Sequence, residues 1–368
     1  MAGRRSGLAW VKWVASSVAL TVVLLLLLLA LLPTPPAASA VRLEETLAYR
    51  MLQRERAVRA VPASAEPLLR KVLSEGVTAL GPDPAPPATA DEFRAFARAV
   101  AIVLATHNFI QPGSTKDWPD TLGEALTPLP LGDSRVASSL RLDQPARLRH
   151  MKAGGAVYFA DCDIGAMLII SVAQMVGFDV AMVEVPGHNF LRWKSPAGET
   201  ASWDWTYWRA PDEREHASRL QRSLRSRGVF LASQTLEESE AYFKSVLAGK
   251  IDDQAARLAL RREAASVFPN NRVVAYGVAR TFALSPTASP AERKEALSYG
   301  LLALSMEGNG TPRNVADRMM AVACAYAANG EPALAKAFVE RARTVAGVDE
   351  DYRATLAAVR AGDACPGR

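Results

Sequence analysis

Cys162, His188 and Asp204 lie within 43 residues of a 368-residue chain that has only three cysteines and four histidines. A thiol, an imidazole and a carboxylate brought together can perform nucleophilic catalysis: the sulfur attacks, the ring takes its proton, and the carboxylate orients the ring. The stretch from Asp161 to Gly177 predicts the helix that carries the thiol. Acidic cap residues open it, apolar residues follow at helical spacing, and a glycine suited to a C-terminal cap closes it. Cys162 therefore falls in the first turn, where unpaired backbone N–H groups and the helix dipole favour thiolate, while Asp161 and Asp163 oppose it.

The other two groups belong on strands. Phe178 to Val185 alternates like a strand, Pro186-Gly187 makes a break, and His188 to Trp193 reads as a second strand. A third follows Ser195-Pro196-Ala197-Gly198. A hairpin loop over residues 195–197 would pair Lys194 with Gly198, Arg192 with Thr200, Phe190 with Ser202 and His188 with Asp204. Directly opposed residues have Cβ atoms roughly 4.5 to 5.5 Å apart, close enough for Asp204 to hold one ring nitrogen and leave the other for the thiol. A slip of one residue would turn one partner to the opposite face, so this expectation depends on loop length.

These residues resemble the transglutaminase-like superfamily, papain-related thiol enzymes in which Cys starts a helix and His and Asp follow on successive strands. The resemblance is closest to a bacterial branch and spans about residues 90 to 230. It rests on Cys162 with Ala166, Leu168 and Gly177, on Pro186-Gly187-His188-Asn189-Phe190-Leu191-Arg192-Trp193, and on Trp203-Asp204. That branch often has Gly or Asn before the cysteine, where this chain has Asp161. The resemblance implies that Cys162 is the nucleophile, His188 the general base and Asp204 the orienting group. It implies an α+β fold: a helix-rich transglutaminase-like domain with a small antiparallel sheet. The competing structural reading makes Cys162 a small core residue, His188 a hydrogen-bonded strand end and Asp204 a solvated turn carboxylate.

Trp193, Trp203, Trp205, Tyr207 and Trp208 crowd the same hairpin. Such rings mostly pack against a sheet or helix, and a minority can wall a substrate cleft; Trp203 and Trp205 are the candidates for that role. An oxyanion donor is expected from the Cys162 backbone N–H and one upstream side chain, with Asn108, Gln111 and Tyr158 as substrate-side candidates. His107, His150 and His216 have no companion spacing and read as surface or packing residues. No cluster has metal-ligand spacing and no glycine-rich phosphate loop follows a strand, so neither a metal nor another cofactor is expected.

Arg4, Arg5 and Lys12 precede an apolar run from Trp13 to Leu32. At 1.5 Å per residue the run spans ~30 Å, about one hydrocarbon core. The expected layout is a cytoplasmic basic segment over residues 1–12, a transmembrane anchor over 13–32 and a Pro/Ala linker over 33–40, with the bulk extracytoplasmic, periplasmic if bacterial. The alternative is a secretory signal cleaved near Ala38-Ser39-Ala40. Export to an oxidising compartment bears on the three cysteines: a bridge between Cys324 and Cys365 would leave Cys162 free, and a buried reduced Cys324 is the alternative.

With 49% hydrophobic residues, the exported part is expected to fold rather than stay disordered. The formal charge of +5 is mild, no basic stripe interleaves with aromatics, and nucleic acid is not an expected partner. The basic run Arg214 to Arg227 reads as a solvated helix face. Helices are expected over Val41–Ala60, Pro67–Leu80 and Asp91–Phe109, a proline-rich loop over Gly81–Pro87, and irregular chain over Gln111–Leu140 that could roof the cleft. The transglutaminase-like domain would cover 41–230 and a helical connector 231–251. From 252 to 362 paired helices are expected, similar to tetratricopeptide repeats. There Ala296 and Ala303 recur as Ala335 and Ala342, 39 residues on, and Ser285 to Ser289 lengthens the first unit.

The leading expectation is thus a membrane-anchored cysteine hydrolase or acyl-transfer enzyme acting on an amide or ester. Protein or peptide substrates or partners would be met through the cleft and the helical repeats. The rival is a catalytically inactive transglutaminase-like fold that, with its repeats, scaffolds an envelope complex.

Overall fold

Apolar residues at helical spacing follow a capping side chain repeatedly along this chain, and that is where its helices begin. The computed structural model describes residues 39–220, 228–285, 287–307, 311–347, 350–361 and 365. The expected anchor and basic segment, at 1–32, lie outside the described residues, as do 221–227 of the basic run. Among the described residues no helix is long and apolar enough to cross a membrane.

Three N-terminal helices form first: α1 (Leu47–Val58), α2 (Ala65–Thr78) and α3 (Ala90–Thr106). Thr46 caps α1, and a reciprocal box between Thr89 and Glu92 caps α3. The apolar faces of all three converge on α7 (Cys162–Val176), the most apolar helix, in which Ile164 to Ala173 are buried without interruption. Two polar side chains of α7 satisfy amides that the start of α1 leaves unpaired: Leu47 N–H donates to Gln174 Oε1 (2.8 Å) and Ala48 N–H to Ser171 Oγ (2.9 Å). On α2, Gly76 lets α7 come close, because a Cβ there would sit 2.8 Å from Val172 Cγ2.

Residues 111–140 are less irregular than their composition suggests. Thr121 caps the short α4 (Leu122–Ala125) and Asp133 caps α5 (Ser134–Leu142), with α6 (Pro145–Leu148) just beyond. A two-stranded parallel pair, β1 (Phe109–Ile110) with β2 (Tyr158–Phe159), ties α3 to the segment that enters α7. A three-stranded antiparallel sheet in the order β3 (Ala181–Val185), β4 (His188–Lys194), β5 (Thr200–Trp203) follows α7. The fold is α+β and helix-rich, with α8 (Glu213–Arg219) after the sheet.

From Leu236 onward the regular elements among the described residues are helices: α9 (Leu236–Ala248), α10 (Gln254–Val267), α11 (Arg272–Ala283), α12 (Pro290–Glu307), α13 (Pro312–Ala328), α14 (Pro332–Ala346) and α15 (Glu350–Ala361). α11 pairs with α12 and α13 with α14. The small residues expected at helix contacts, Ala296, Ala303, Ala335 and Ala342, are fully buried, and Tyr326 stacks on Phe338 with centroids 5.5 Å apart. Cys324 and Cys365 form a disulfide. A buried run of charges joins this array to the sheet. Glu184 on β3 accepts from Asn271 (2.7 Å) and pairs with Arg272 (2.6 Å), while Arg272 and Arg318 both meet Glu307 at 3.4 Å.

Candidate active site

Asp161 is the N-cap of α7, and its Oδ1 accepts from the amides of Asp163 (3.1 Å) and Ile164 (2.9 Å). That cap fixes Cys162 at the first helical position, 6% exposed and the one free thiol. The Asn189 backbone N–H, on β4, faces the sulfur. The contact of α7 with β4 thus sets the thiol against the strand that carries His188.

The hairpin differs in register from the sequence expectation. Pairing runs Lys194 with Thr200, Trp193 with Ala201, Arg192 with Ser202 and Leu191 with Trp203. The loop keeps three residues but lies one position later, over 196–198, because Ser195 N–H donates to Glu199 O (2.7 Å), with Gly198 N–H on Ser195 O (2.9 Å) inside it. The displacement is two positions, which preserves the face each side chain occupies, as a slip of one would not. Asp204 is consequently diagonal to His188 rather than opposite, and still reaches it: His188 Nε2 lies 2.6 Å from Asp204 Oδ2.

The carboxylate is held as firmly as the ring. Asp204 Oδ1 accepts from the amides of Thr206 (2.8 Å) and Tyr207 (3.3 Å), and the Asp204 amide donates to Arg209 O (2.9 Å). Behind this turn, Arg147 is fully buried, paired with Asp143 and donating to the carbonyls of Trp205 (2.5 Å) and Thr206 (3.2 Å). Burial brings the Arg147 guanidinium down to about 10 against the opposing pull of Asp143 and Asp204. The Trp205 indole lies on Gly165 of α7, so the turn bearing Asp204 docks on the helix bearing Cys162.

The sulfur does not hydrogen-bond to the imidazole. Its partner among the described residues is Asp163, with Cys162 Sγ donating to Asp163 Oδ1 at 3.3 Å. Asn189 Nδ2 donates to the same oxygen, and Tyr242 on α9 donates its hydroxyl to Asp163 Oδ2 (2.6 Å). Burial pushes the Cys162 thiol well above its ordinary value, with Asp163 and then Asp161 adding to the shift and the Asn189 amide working against it. Asp161 is itself raised well above a normal carboxyl, by burial first and Asp163 second. The surroundings of Cys162 thus favour the protonated thiol, while Asp204 orients the His188 ring.

The substrate-side candidates separate. Trp203 and Trp205 are 2% and 1% exposed and belong to the core: Trp205 Nε1 donates to Ala160 O (3.3 Å) and Arg98 sits over the Trp203 ring. Asn108 is occupied structurally. At φ +59° its side chain donates to the carbonyls of Gly154 and Ala156 (3.2 Å each) and accepts from the Lys152 amide (3.0 Å), fastening the loop before β2. Tyr158 stacks on Phe109, and burial raises its phenol. Gln111 continues β1 beside the chain entering α7, and its buried Oε1 has no partner among the described residues. Tyr207 is the aromatic that faces solvent, half exposed, with its ring 5.7 Å from that of His188. The other histidines are structural: His107 meets Glu75 (2.8 Å), His150 stacks on Trp208 and His216 on Phe190. Among the described residues, no group of three His, Cys, Asp or Glu side chains is arranged to hold a metal ion.

Sequence spacing gives no sign of Tyr242, 80 residues from Cys162, or of Arg147 behind the turn. Asp163 is visible in sequence as an acidic neighbour, but not as the thiol's acceptor. Compared with known protein families, curated proteins and solved structures, the chain matches none.

Proposed function

We propose that this protein is a transglutaminase-like cysteine enzyme acting outside the cytoplasm, tethered by its N-terminal apolar run, that transfers or hydrolyses an acyl group from an amide or ester. The observation that carries the reading is the 2.6 Å contact between His188 Nε2 and Asp204 Oδ2, on a strand whose next residue faces the Cys162 sulfur. With Nε2 engaged by the carboxylate, Nδ1 is the ring nitrogen left for the thiol proton. The sulfur attacks the carbonyl carbon, and His188 passes the thiol proton to the leaving amine or alcohol as the carbon–nitrogen or carbon–oxygen bond breaks. Water or a second amine, deprotonated by His188, then cleaves the thioester and returns the proton to sulfur. Asp161 occupies the amides of Asp163 and Ile164, which leaves the Cys162 amide as the helix-start donor for an oxyanion. The Cys324–Cys365 disulfide supports an oxidising compartment. The helical array would bind a protein or peptide partner.

The rival reading, an inactive scaffold, is favoured by one observation: the thiol is bonded to Asp163 instead of His188. Alkylation of Cys162 by iodoacetamide at neutral pH separates the two. A positioned base contributes roughly 10²–10⁴-fold to a catalysed step, so His188→Ala is expected to slow labelling at least about tenfold in the enzyme. Labelling that ignores the substitution makes the protein a scaffold.

A further inference from the structure

We propose that Asp163 is a latch on the nucleophile: its carboxylate takes the thiol's hydrogen bond and, pinned by Asn189 and Tyr242, holds Cys162 in its protonated form in the resting protein. The latch rests on the reading of Cys162 as a nucleophile, but acts on the sulfur through a different group from the proposed base.

Three contacts define it. Asp163 Oδ1 is shared between Cys162 Sγ (3.3 Å) and the Asn189 side-chain amide, and Oδ2 accepts from the Tyr242 hydroxyl (2.6 Å). With donors on both oxygens, the carboxylate cannot rotate away from the sulfur without stranding a donor in a buried place. Asn189 follows the proposed base directly on β4, and Tyr242 comes from α9, at the start of the helical array. The latch therefore joins three elements that the fold brings together from distant parts of the sequence. A carboxylate merely capping α7 would not require them, because Asp161 already does that work.

The charged and titratable groups around the sulfur mostly favour the protonated form. Asp161 and Asp163 on α7 repel a thiolate, Tyr242 on α9 is itself held neutral by burial, and Glu184 on β3 lies beyond Tyr242. His188, on β4, is paired with Asp204, which follows β5. Of these, Asp163 is the one that touches the sulfur.

The test is Asp163→Asn in the full-length protein. The carboxamide can accept from Asn189 through its oxygen and donate to the Tyr242 oxygen through its nitrogen, since a phenol hydroxyl is both donor and acceptor; the fold should tolerate it. Iodoacetamide alkylation of Cys162 at pH 7 is expected to speed up about tenfold or more, with the pH midpoint of thiolate absorbance shifted down. Asp163→Ala, which also removes the charge, should move both readouts the same way. Rates and midpoints unchanged in both variants overturn the latch. The two proposals fail separately: acceleration by Asp163→Asn that survives His188→Ala keeps the latch and removes the base. Slowing by His188→Ala with no response to Asp163→Asn does the reverse.

Discussion

Gly165 should be intolerant of a single methyl group. It lies one turn along α7 from Cys162, where an exposed glycine replaced by alanine would stabilise the helix by ~1 kcal/mol. Here a Cβ would fall 2.2, 2.3 and 2.6 Å from the Cδ1, Cγ and Nε1 atoms of the Trp205 indole, against an ordinary contact that begins at 3.4 Å. The ring would have to retreat by about 1.2 Å at its nearest atom. It has little freedom to do so: it is 1% exposed, its Nε1 donates to Ala160 O, and the Arg147 guanidinium lies 4.3 Å from its centroid on one side. Overpacking a dense core costs about 1–3 kcal/mol, and with three ring atoms struck the upper end applies. Setting ~1 kcal/mol of helix gain against that leaves Gly165→Ala destabilised by about 2 kcal/mol, a fall in Tm of about 3 °C for a unit of this size. Thermal unfolding followed by circular dichroism reads the shift. A variant as stable as the parent, or more so, would refute the packing of the Asp204 turn on α7, because helix propensity alone has the opposite sign.

Two further outcomes are expected. Asp161→Asn keeps both capping bonds but removes a buried charge whose pKa is raised above 3.8 in the fold. A raised carboxyl loses stability as pH climbs through and above its unfolded value, so the variant should be more stable than the parent at neutral pH and equal to it below about pH 3. Parallel urea curves at both values decide it, and a gain that persists in acid would contradict the charge explanation. Thiol titration of unfolded, unreduced protein should find one reactive group and, after reduction, three. The Cys324–Cys365 link spans 41 residues, for which loop-closure entropy gives about 4 kcal/mol, so reduction should lower the urea midpoint.

The sequence was most legible where local chemistry repeats. Capped helices, the break at Pro186-Gly187 and the small-residue contacts of the helical array follow from propensity and period, and the structure has them. The hairpin register was offset because a three-residue loop over 195–197 and one over 196–198 differ only in whether Lys194 closes on Gly198 or Ser195 on Glu199, and composition does not distinguish them. His188 and Asp204 still met, since an even displacement keeps both on one face. The aromatic cluster packs as such rings mostly do: Trp203 and Trp205, the candidates for a cleft wall, lie in the core, and Tyr207 is left at the surface beside the ring. The thiol's true acceptor was hidden for a different reason. Asp163 is held in place by Tyr242, a tertiary partner with no local signature.

The ionic run from Glu184 through Arg272 and Glu307 to Arg318 means that the chain cannot be cut at will. Removing the C-terminal helices would leave Glu184 sealed in β3 with no counter-charge, at a penalty of about 3–5 kcal/mol. That is a large part of what holds an ordinary domain together. A fragment ending before α11 would therefore be a poor surrogate for the whole, and heat should melt sheet and array in one step.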